Sequence, residues 1–150
     1  MRAVIQRVDK ATVSIEDIEF SKIGEGLLIF LGIELEDSIE DSLWLANKIV
    51  NLRIFNDFSS KMNNSILDID GEIIVISQFT LHAKTKKGNR PSFINAAKSD
   101  QAKHLYENFK NELKQVVNKD IKSGRFGADM NVGLINNGPV TIIIDTKNKQ

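Results

Sequence analysis

The fold of this chain is decided by residues 24–33, Gly24-Glu25-Gly26-Leu27-Leu28-Ile29-Phe30-Leu31-Gly32-Ile33. Two glycines open a turn, and an almost unbroken apolar run follows them. A short apolar run that is bounded by turn residues is typical of a strand inside a sheet that is covered on both sides. We therefore predict a strand over Leu27 to Ile33 that is buried on both faces.

The segments on either side of this strand contain further short apolar runs and runs with period-2 alternation. Asp70-Gly71 separates two of these runs, and an Asp-Gly pair is typical of a tight hairpin turn. The predicted additional strands are Ala3 to Val8, Ala11 to Ile15, Leu52 to Phe55, Ile66 to Asp70, Ile73 to Leu81, Asn131 to Ile135 and Val140 to Asp145.

Two segments carry apolar residues at helical spacing instead. One begins after Ser38, a residue that can cap a helix, and extends to Val50. The other extends from about Asp100 to Asn118. Since the chain shows no repeat and no linker, we predict one α+β domain over residues 1–150, with a mostly antiparallel, barrel-like sheet and two main helices.

Composition excludes several classes of protein. The 150 residues include 20 basic and 20 acidic side chains and no cysteine, so disulfide frameworks, thiolate nucleophiles and cysteine zinc sites are ruled out. The first eight residues contain charges and an amide, unlike a secretory leader. No apolar run approaches the ~18–20 residues of a membrane span. We expect a cytoplasmic protein without a membrane contact.

Charge is unevenly distributed along the chain. Residues 73–99 contain no acidic side chain but include Lys84, Lys86, Lys87 and Arg90. A basic loop on a neutral protein suits a local anionic ligand. A solvated surface loop whose lysines keep it soluble is the alternative interpretation.

The residues that follow the predicted strand from Ile73 are unusually polar for a strand end. Ser77-Gln78-Phe79-Thr80-Leu81 leads directly into the basic loop, a placement typical of a functional site. The common hydrolase and nucleotide-binding motifs are absent, and Thr80 has no obvious local base to activate it. The two histidines, His82 and His104, lie far apart in sequence, so we predict no metal site.

The second unusual place is Gly138-Pro139, between the last two predicted strands. Asn137-Gly138 is typical of a hairpin turn, but a proline cannot donate to a strand ladder. A cis peptide bond and an ordinary turn both fit this sequence. Arg7 places a charge in the first strand, and we predict that it pairs near the Gly138-Pro139 loop or at a dimer contact.

Six stretches, taken in order, resemble the D-aminoacyl-tRNA deacylase family over nearly the whole chain. The Ser-Gln-Phe-Thr-Leu and Asn-x-Gly-Pro-Val-Thr motifs are the two signatures of that family, and both are intact. The matching stretches are Met1 to Val8, Asn51 to Phe55, Ser77 to Leu81, Lys87 to Phe93, Phe126 to Met130 and Asn136 to Thr141.

The resemblance implies the deacylase fold and a hydrolase that cleaves the ester between a D-amino acid and its tRNA, without a cofactor or metal. The catalytic residues would be Thr80, Ser77, Gln78 and Phe79, assisted by the 2′-hydroxyl of the terminal adenosine. Thr80 would act either as a polar orienting group or as a nucleophile.

The resemblance further implies a homodimer in which one subunit inserts Gly138 and Pro139 into the pocket of the other. Substrate binding and rejection of L-amino acids would involve Gly138, Pro139, Asn136 and Met130. Glycyl-tRNA would also be hydrolysed, because glycine has no side chain to reject. The acceptor end of the tRNA would bind to Lys84, Lys86, Lys87 and Arg90.

Two other functions fit the same residues. A binding module would hold RNA or a small anion at the basic loop without any catalytic step. A hydrolase of free D-amino acid esters or other small molecules would act in the absence of tRNA.

Overall fold

The structure, a computed structural model, describes residues 1–149. Its elements combine one mixed sheet, a small hairpin and two long helices. They are β1 (Arg2–Ile15), β2 (Ile18–Ile23), β3 (Gly26–Gly32), α1 (Ile39–Val50), β4 (Phe55–Asn56), β5 (Met62–Asn64), β6 (Glu72–Ser77), a 3₁₀ turn (Phe79–His82), α2 (Ser99–Val117), β7 (Lys122–Ser123) and β8 (Asn131–Asp145).

Strand β1 organises the sheet. It pairs antiparallel with β3 through residues 2–8, with β2 through residues 11–15, and with β8 along most of its length. Strands β3 and β6 are parallel, as are β6 and β7, so the sheet is mixed. The Ser21 hydroxyl of β2 donates to the Ser123 carbonyl of β7 at 2.8 Å and joins the two ends of the sheet. The predicted barrel-like α+β architecture with two helices is confirmed.

Apolar side chains fill both sides of β3. One cluster lies between the sheet and the helices and includes Leu27 and Ile29, together with Phe109 of α2. The other cluster lies on the opposite face and includes Leu28 and Ile74. Each such fully buried side chain contributes about 1.5–3 kcal/mol to folding. The prediction that this strand is buried on both faces is therefore confirmed.

Several predicted strand boundaries are wrong. The two N-terminal strands are one continuous strand, β1, and β2 was not predicted. Residues 66–70 form a turn rather than the first arm of a hairpin, because β6 pairs with β3 and not with its upstream neighbour. The predicted strand from Leu52 to Phe55 is displaced, since β4 begins at Phe55 and pairs with β5.

The last two predicted strands are also one strand. Residues 131–136 and 141–145 both pair antiparallel with β1, so the chain does not reverse at Gly138-Pro139. Residues 137–140 lie opposite the single residue Arg7 and form a bulge, which we call the β8 bulge. Its Gly138–Pro139 peptide bond is cis.

Within residues 1–149, no helix is long and apolar enough to cross a membrane.

A partly buried polar cluster joins the start of β1 and the end of β8 to α1. The Met1 amino group binds the Asp37 carboxylate and donates to the Thr146 hydroxyl at 2.6 Å. Lys147 Nζ donates to Asp41 at 2.8 Å. Burial raises the pKa of the Asp41 carboxyl, but the hydrogen bonds from Lys147 and from a backbone N–H lower it to about 2. Asp41 therefore stabilises the fold as an anion.

We expect Asp41→Asn to lower the free energy of unfolding by about 1 kcal/mol at neutral pH, a value discounted for screening by water. Because the folded-state pKa of Asp41 is below its ordinary value of 3.8, this stabilisation is present above that value and is lost as the pH falls through 2. Denaturant unfolding of both proteins over this range measures it. A difference between them that does not shrink in acid would contradict the assignment.

Candidate active site

A cavity of about 490 Å³ opens at the carboxyl ends of the parallel strands β3 and β6. Ligand sites in sheets with parallel strands commonly form at this edge. The wall is mostly apolar, and polar groups enter it from the end of β6 and from the segment before β8. The lining residues that the argument uses are Ser77, Gln78, Phe79, Phe126, Asp129 and Met130.

Strand β6 ends at Ser77, and residues 78–82 fold back as a short turn that we call the active-site turn. The Gln78 N–H donates to the Leu31 carbonyl at 2.8 Å, which holds the start of the turn on β3. Gly32 permits this close approach: a Cβ there would lie 2.9 Å from Leu81 Cβ and 3.0 Å from the Gln78 carbonyl oxygen. The end of β3 therefore serves as the seat of the turn.

The active-site turn corrects one expectation from the sequence. A strand through Leu81 would place Ser77 and His82 on opposite faces, but the 3₁₀ geometry ends that alternation at Ser77. His82 is buried, and its Nδ1 lies 4.0 Å from a Glu34 carboxylate oxygen. His104 is exposed on α2.

Thr80 lies exposed on the active-site turn. Among the hydrogen bonds of residues 1–149, its hydroxyl has one partner, the Gln78 side-chain amide, which donates to Thr80 Oγ1. An amide donor cannot remove a proton from the hydroxyl. Within the described residues, Thr80 therefore has no hydrogen-bonded side-chain base, and it follows the lining residue Phe79 without lining the cavity itself.

The predicted basic residues form an exposed loop next to the cavity. Lys84 and Ser92 close this loop through two backbone hydrogen bonds of 2.8 and 3.0 Å. Phe93, just after the loop, packs edge-on against Phe79 with ring centroids 5.1 Å apart. Lys84, Lys86, Lys87 and Arg90 are all exposed between these two anchors. Their charges therefore lie on a loop that adjoins the active-site turn.

The β8 bulge lies elsewhere on the molecule. Within the described chain, the cavity wall includes Met130 but neither Gly138 nor Pro139, and both of these are exposed. Arg7 supports the bulge: its Nε donates to the Asn137 carbonyl at 3.3 Å and its NH1 to the Ile54 carbonyl at 2.6 Å. The prediction that Arg7 pairs near this loop is confirmed.

Asn136 also lies at the base of the bulge. Its side chain contacts the Gln6 side-chain oxygen at 3.1 Å, away from the cavity. The four residues expected to bind substrate together are therefore separated within one chain: Met130 lines the cavity, and the other three lie in or beside the bulge.

The cavity wall includes residues that the candidate set did not contain. Phe126 and Asp129 come from the segment before β8, Ala97 lies just before α2, and Ala102 lies in the first turn of α2. Sequence reasoning could have found Phe126 and Asp129, because they lie in a stretch that resembles the deacylase family. The two alanines carry no signal in the sequence, since only the packing of α2 brings them to the cavity.

Comparison with known proteins identifies the family to which the chain belongs. A family model described as D-Tyr-tRNA(Tyr) deacylase matches residues 4–145. The chain belongs to this deacylase family. Membership makes it a D-aminoacyl-tRNA deacylase, an enzyme that hydrolyses an ester, as the sequence resemblance implied.

Individual relatives are similar in sequence to this chain over their full length. The chain is 59% identical to a D-aminoacyl-tRNA deacylase of Bacteroides thetaiotaomicron and 57% identical to one of Flavobacterium psychrophilum, and each alignment covers 100% of both chains. Among solved structures, this deacylase resembles a c-Myc DNA Unwinding Element Binding Protein, with a TM-score of 0.92 and 41% identity over 97% of this chain and 98% of that one.

A more distant structure supports the fold. It is described as a probable eukaryotic D-amino acid tRNA deacylase and matches with a TM-score of 0.81 at 17% identity. The match covers 95% of this chain and 97% of that one.

We expect Gly32→Ala to lower kcat of this deacylase about tenfold or more, because its Cβ would displace the active-site turn from its seat. Gly24→Ala is the matched control, since a Cβ there meets only Glu72 Oε2, at an ordinary 3.4 Å. Steady-state kinetics on folded protein measure both. A wild-type kcat for Gly32→Ala would contradict the role of the seat.

Proposed function

We propose that the cavity hydrolyses the ester of D-aminoacyl-tRNA and leaves the L-aminoacyl ester intact. The observation that carries the proposal is the polar edge of a mostly apolar cavity, which is lined by Ser77 at the end of β6 and by Gln78 and Phe79 of the active-site turn. Thr80 follows Phe79, and the basic loop follows the turn. An apolar cavity with a few convergent polar groups suits a small acyl group. The family to which the chain belongs indicates which bond is cleaved, the ester between the amino acid and the tRNA.

Catalysis in this proposal rests on orientation and on the substrate. Because the Thr80 hydroxyl has only an amide donor beside it, we assign Thr80 to orienting the ester rather than attacking it. The 2′-hydroxyl of the terminal adenosine assists the attack of water on the ester carbonyl, which releases the amino acid and free tRNA. Groups from the active-site turn stabilise the oxyanion, an effect of about 2.7–4 kcal/mol for each well-placed donor.

The proposed active form is a homodimer with shared pockets. The exposed β8 bulge lies outside the cavity of its own chain, which supports insertion into the cavity of a second copy. Strand β8 also has exposed apolar side chains, Leu134, Ile135 and Ile143, and pairs with β1 on one side. An unpaired strand edge with apolar side chains favours association with another chain.

Chirality follows from the same bulge. Gly138 and Pro139 would occupy the space that the side chain of an L-amino acid needs, so the L-ester is rejected by a clash. Such a wall works only if it is rigid, and Arg7 holds the Asn137 carbonyl beside it. Glycine escapes the clash because it has no side chain. Glycyl-tRNA is therefore a proposed second substrate.

The basic loop is the proposed contact with the tRNA acceptor end. Its four exposed cations, Lys84, Lys86, Lys87 and Arg90, follow the active-site turn and suit phosphate groups. Contacts with phosphates carry no sequence information and weaken as salt rises. This fits an enzyme that accepts many tRNAs.

We also propose a cytoplasmic location for the protein.

The proposal is tested by release of labelled amino acid from D-tyrosyl-tRNA, L-tyrosyl-tRNA and glycyl-tRNA in parallel. We expect rapid hydrolysis of the D and glycyl esters and survival of the L ester. Hydrolysis of D-tyrosine methyl ester at the same efficiency would favour the small-molecule hydrolase. Binding of all three tRNAs without any hydrolysis would favour the binding module.

We expect Thr80→Ala to reduce kcat for D-tyrosyl-tRNA about tenfold to a hundredfold, because an orienting group at the ester is lost. Binding of tRNA should be unchanged. Thr85→Ala is the matched control, since Thr85 is an equally exposed threonine five residues further along. Equal kinetics for the two variants would contradict the role of Thr80.

A further inference from the structure

Arg2, at the start of β1, connects two distant segments of the chain. Its NH1 donates to the Leu81 carbonyl at 2.6 Å. Its Nε and NH2 both donate to one oxygen of the Asp145 carboxylate, at 3.0 and 2.8 Å. The guanidinium therefore joins the active-site turn to the end of β8. Arg2 lies in one of the stretches that resemble the deacylase family, but the proposed chemistry assigns it no role.

The Leu81 carbonyl lies where the active-site turn ends. Inside the turn, the Leu81 N–H donates to the Gln78 carbonyl at 3.2 Å and the Ala83 N–H to the Thr80 carbonyl at 3.0 Å. The last carbonyls of a helical turn have no donor within that turn and need an outside partner. Arg2 is that partner, and the carbonyl that it binds belongs to Leu81, the residue directly after Thr80.

Asp145 fixes the direction of the Arg2 side chain. Burial raises the pKa of the Asp145 carboxyl, but hydrogen bonds from Arg2 and from the Lys147 N–H hold it below its usual range. The carboxylate is therefore charged at neutral pH. A planar guanidinium that is held along one side by a carboxylate keeps its remaining N–H groups in a defined direction. Here that direction leads to the active-site turn.

We propose that Arg2 is a positioning residue for hydrolysis, which holds Thr80 and Phe79 at the cavity by binding the Leu81 carbonyl. The inference rests on the proposed function of the active-site turn. The seat at Gly32 supports the turn from below, and the Gln78 N–H fixes its start. Arg2 fixes its end, so the turn is held at three points.

The consequence for catalysis is geometric. A displacement of about 1 Å at a reacting group can reduce the rate about a hundredfold. With the Leu81 carbonyl unpaired, the 3₁₀ turn loses its outside contact at the end nearer to Thr80. The basic loop is closed by its own backbone hydrogen bonds between Lys84 and Ser92, so we expect the larger loss in kcat rather than in KM.

The test replaces Arg2 with Met, which keeps the aliphatic length and removes every donor. We expect kcat for D-tyrosyl-tRNA to fall about tenfold with KM nearly unchanged. Amide hydrogen exchange in residues 78–84 should become faster, because the turn opens more often. Arg2→Lys retains one charged donor and should recover most of both properties.

Lys147→Met is the matched control. Lys147 is as exposed as Arg2, at 38%, and also binds a carboxylate at 2.8 Å. It also donates to a backbone carbonyl, that of Glu36, at 3.0 Å, but it does not contact the active-site turn. Removing it tests for a general effect of losing one cation and its ion pairs, which Lys147 makes with Asp41 and Asp37. We expect wild-type kcat and wild-type exchange in residues 78–84.

The proposal requires both changes in Arg2→Met. A wild-type kcat, or a wild-type exchange rate in residues 78–84, would each overturn it. An equal loss of kcat in Lys147→Met would overturn it as well, since the effect would then be unspecific. If the wild-type protein fails to hydrolyse the D ester, the proposed function fails, whereas unchanged exchange in Arg2→Met separately refutes the contact with the turn.

Discussion

The structure depends on the hydrogen bonding of one strand. Strand β1 pairs with β2, β3 and β8, and through β3 it carries the parallel strands β6 and β7. Its side chains also reach both halves of the proposed site. Arg2 at one end binds the active-site turn, and Arg7 near the middle binds the β8 bulge. A change in the register of β1 would therefore displace both halves at once, since a slip by one residue moves every side chain to the opposite face.

This arrangement explains how a chain with so few reactive side chains supports an ester hydrolysis. Within residues 1–149, no group of three His, Cys, Asp or Glu side chains is placed to hold a metal ion. Thr80, as the structure shows it, has an amide rather than a base beside it. The protein instead supplies a rigid cavity edge, in which Gly32 and Arg2 fix the position of the turn. Aminoacyl esters are reactive, so we attribute the proposed hydrolysis to correct orientation of the ester and to stabilisation of the oxyanion.

The sequence predicted those elements whose signal is local. The apolar run of β3, the capping position of Ser38 and the apolar face of α2 each required only neighbouring residues, and all three are confirmed. Several strand boundaries that depend on distant pairing were wrong. The break of β6 at Ser77 and the straight passage of β8 through Gly138-Pro139 are set by contacts with β3 and β1, which a local pattern does not contain. The sequence motifs identified the residues of the active-site turn. Only the structure showed that Met130 lies in the cavity wall, apart from the β8 bulge.

Mixed dimers test the proposal that one copy of the chain completes the cavity of another. Thr80→Ala damages the turn but keeps an intact bulge, whereas Gly138→Phe keeps an intact turn and blocks the cavity that receives its bulge. Each variant alone should be nearly inactive on D-tyrosyl-tRNA. Co-refolding equal amounts should restore about a quarter of the wild-type rate, since half of the dimers then contain one intact site. A mixture no more active than the two separate variants would contradict a shared pocket.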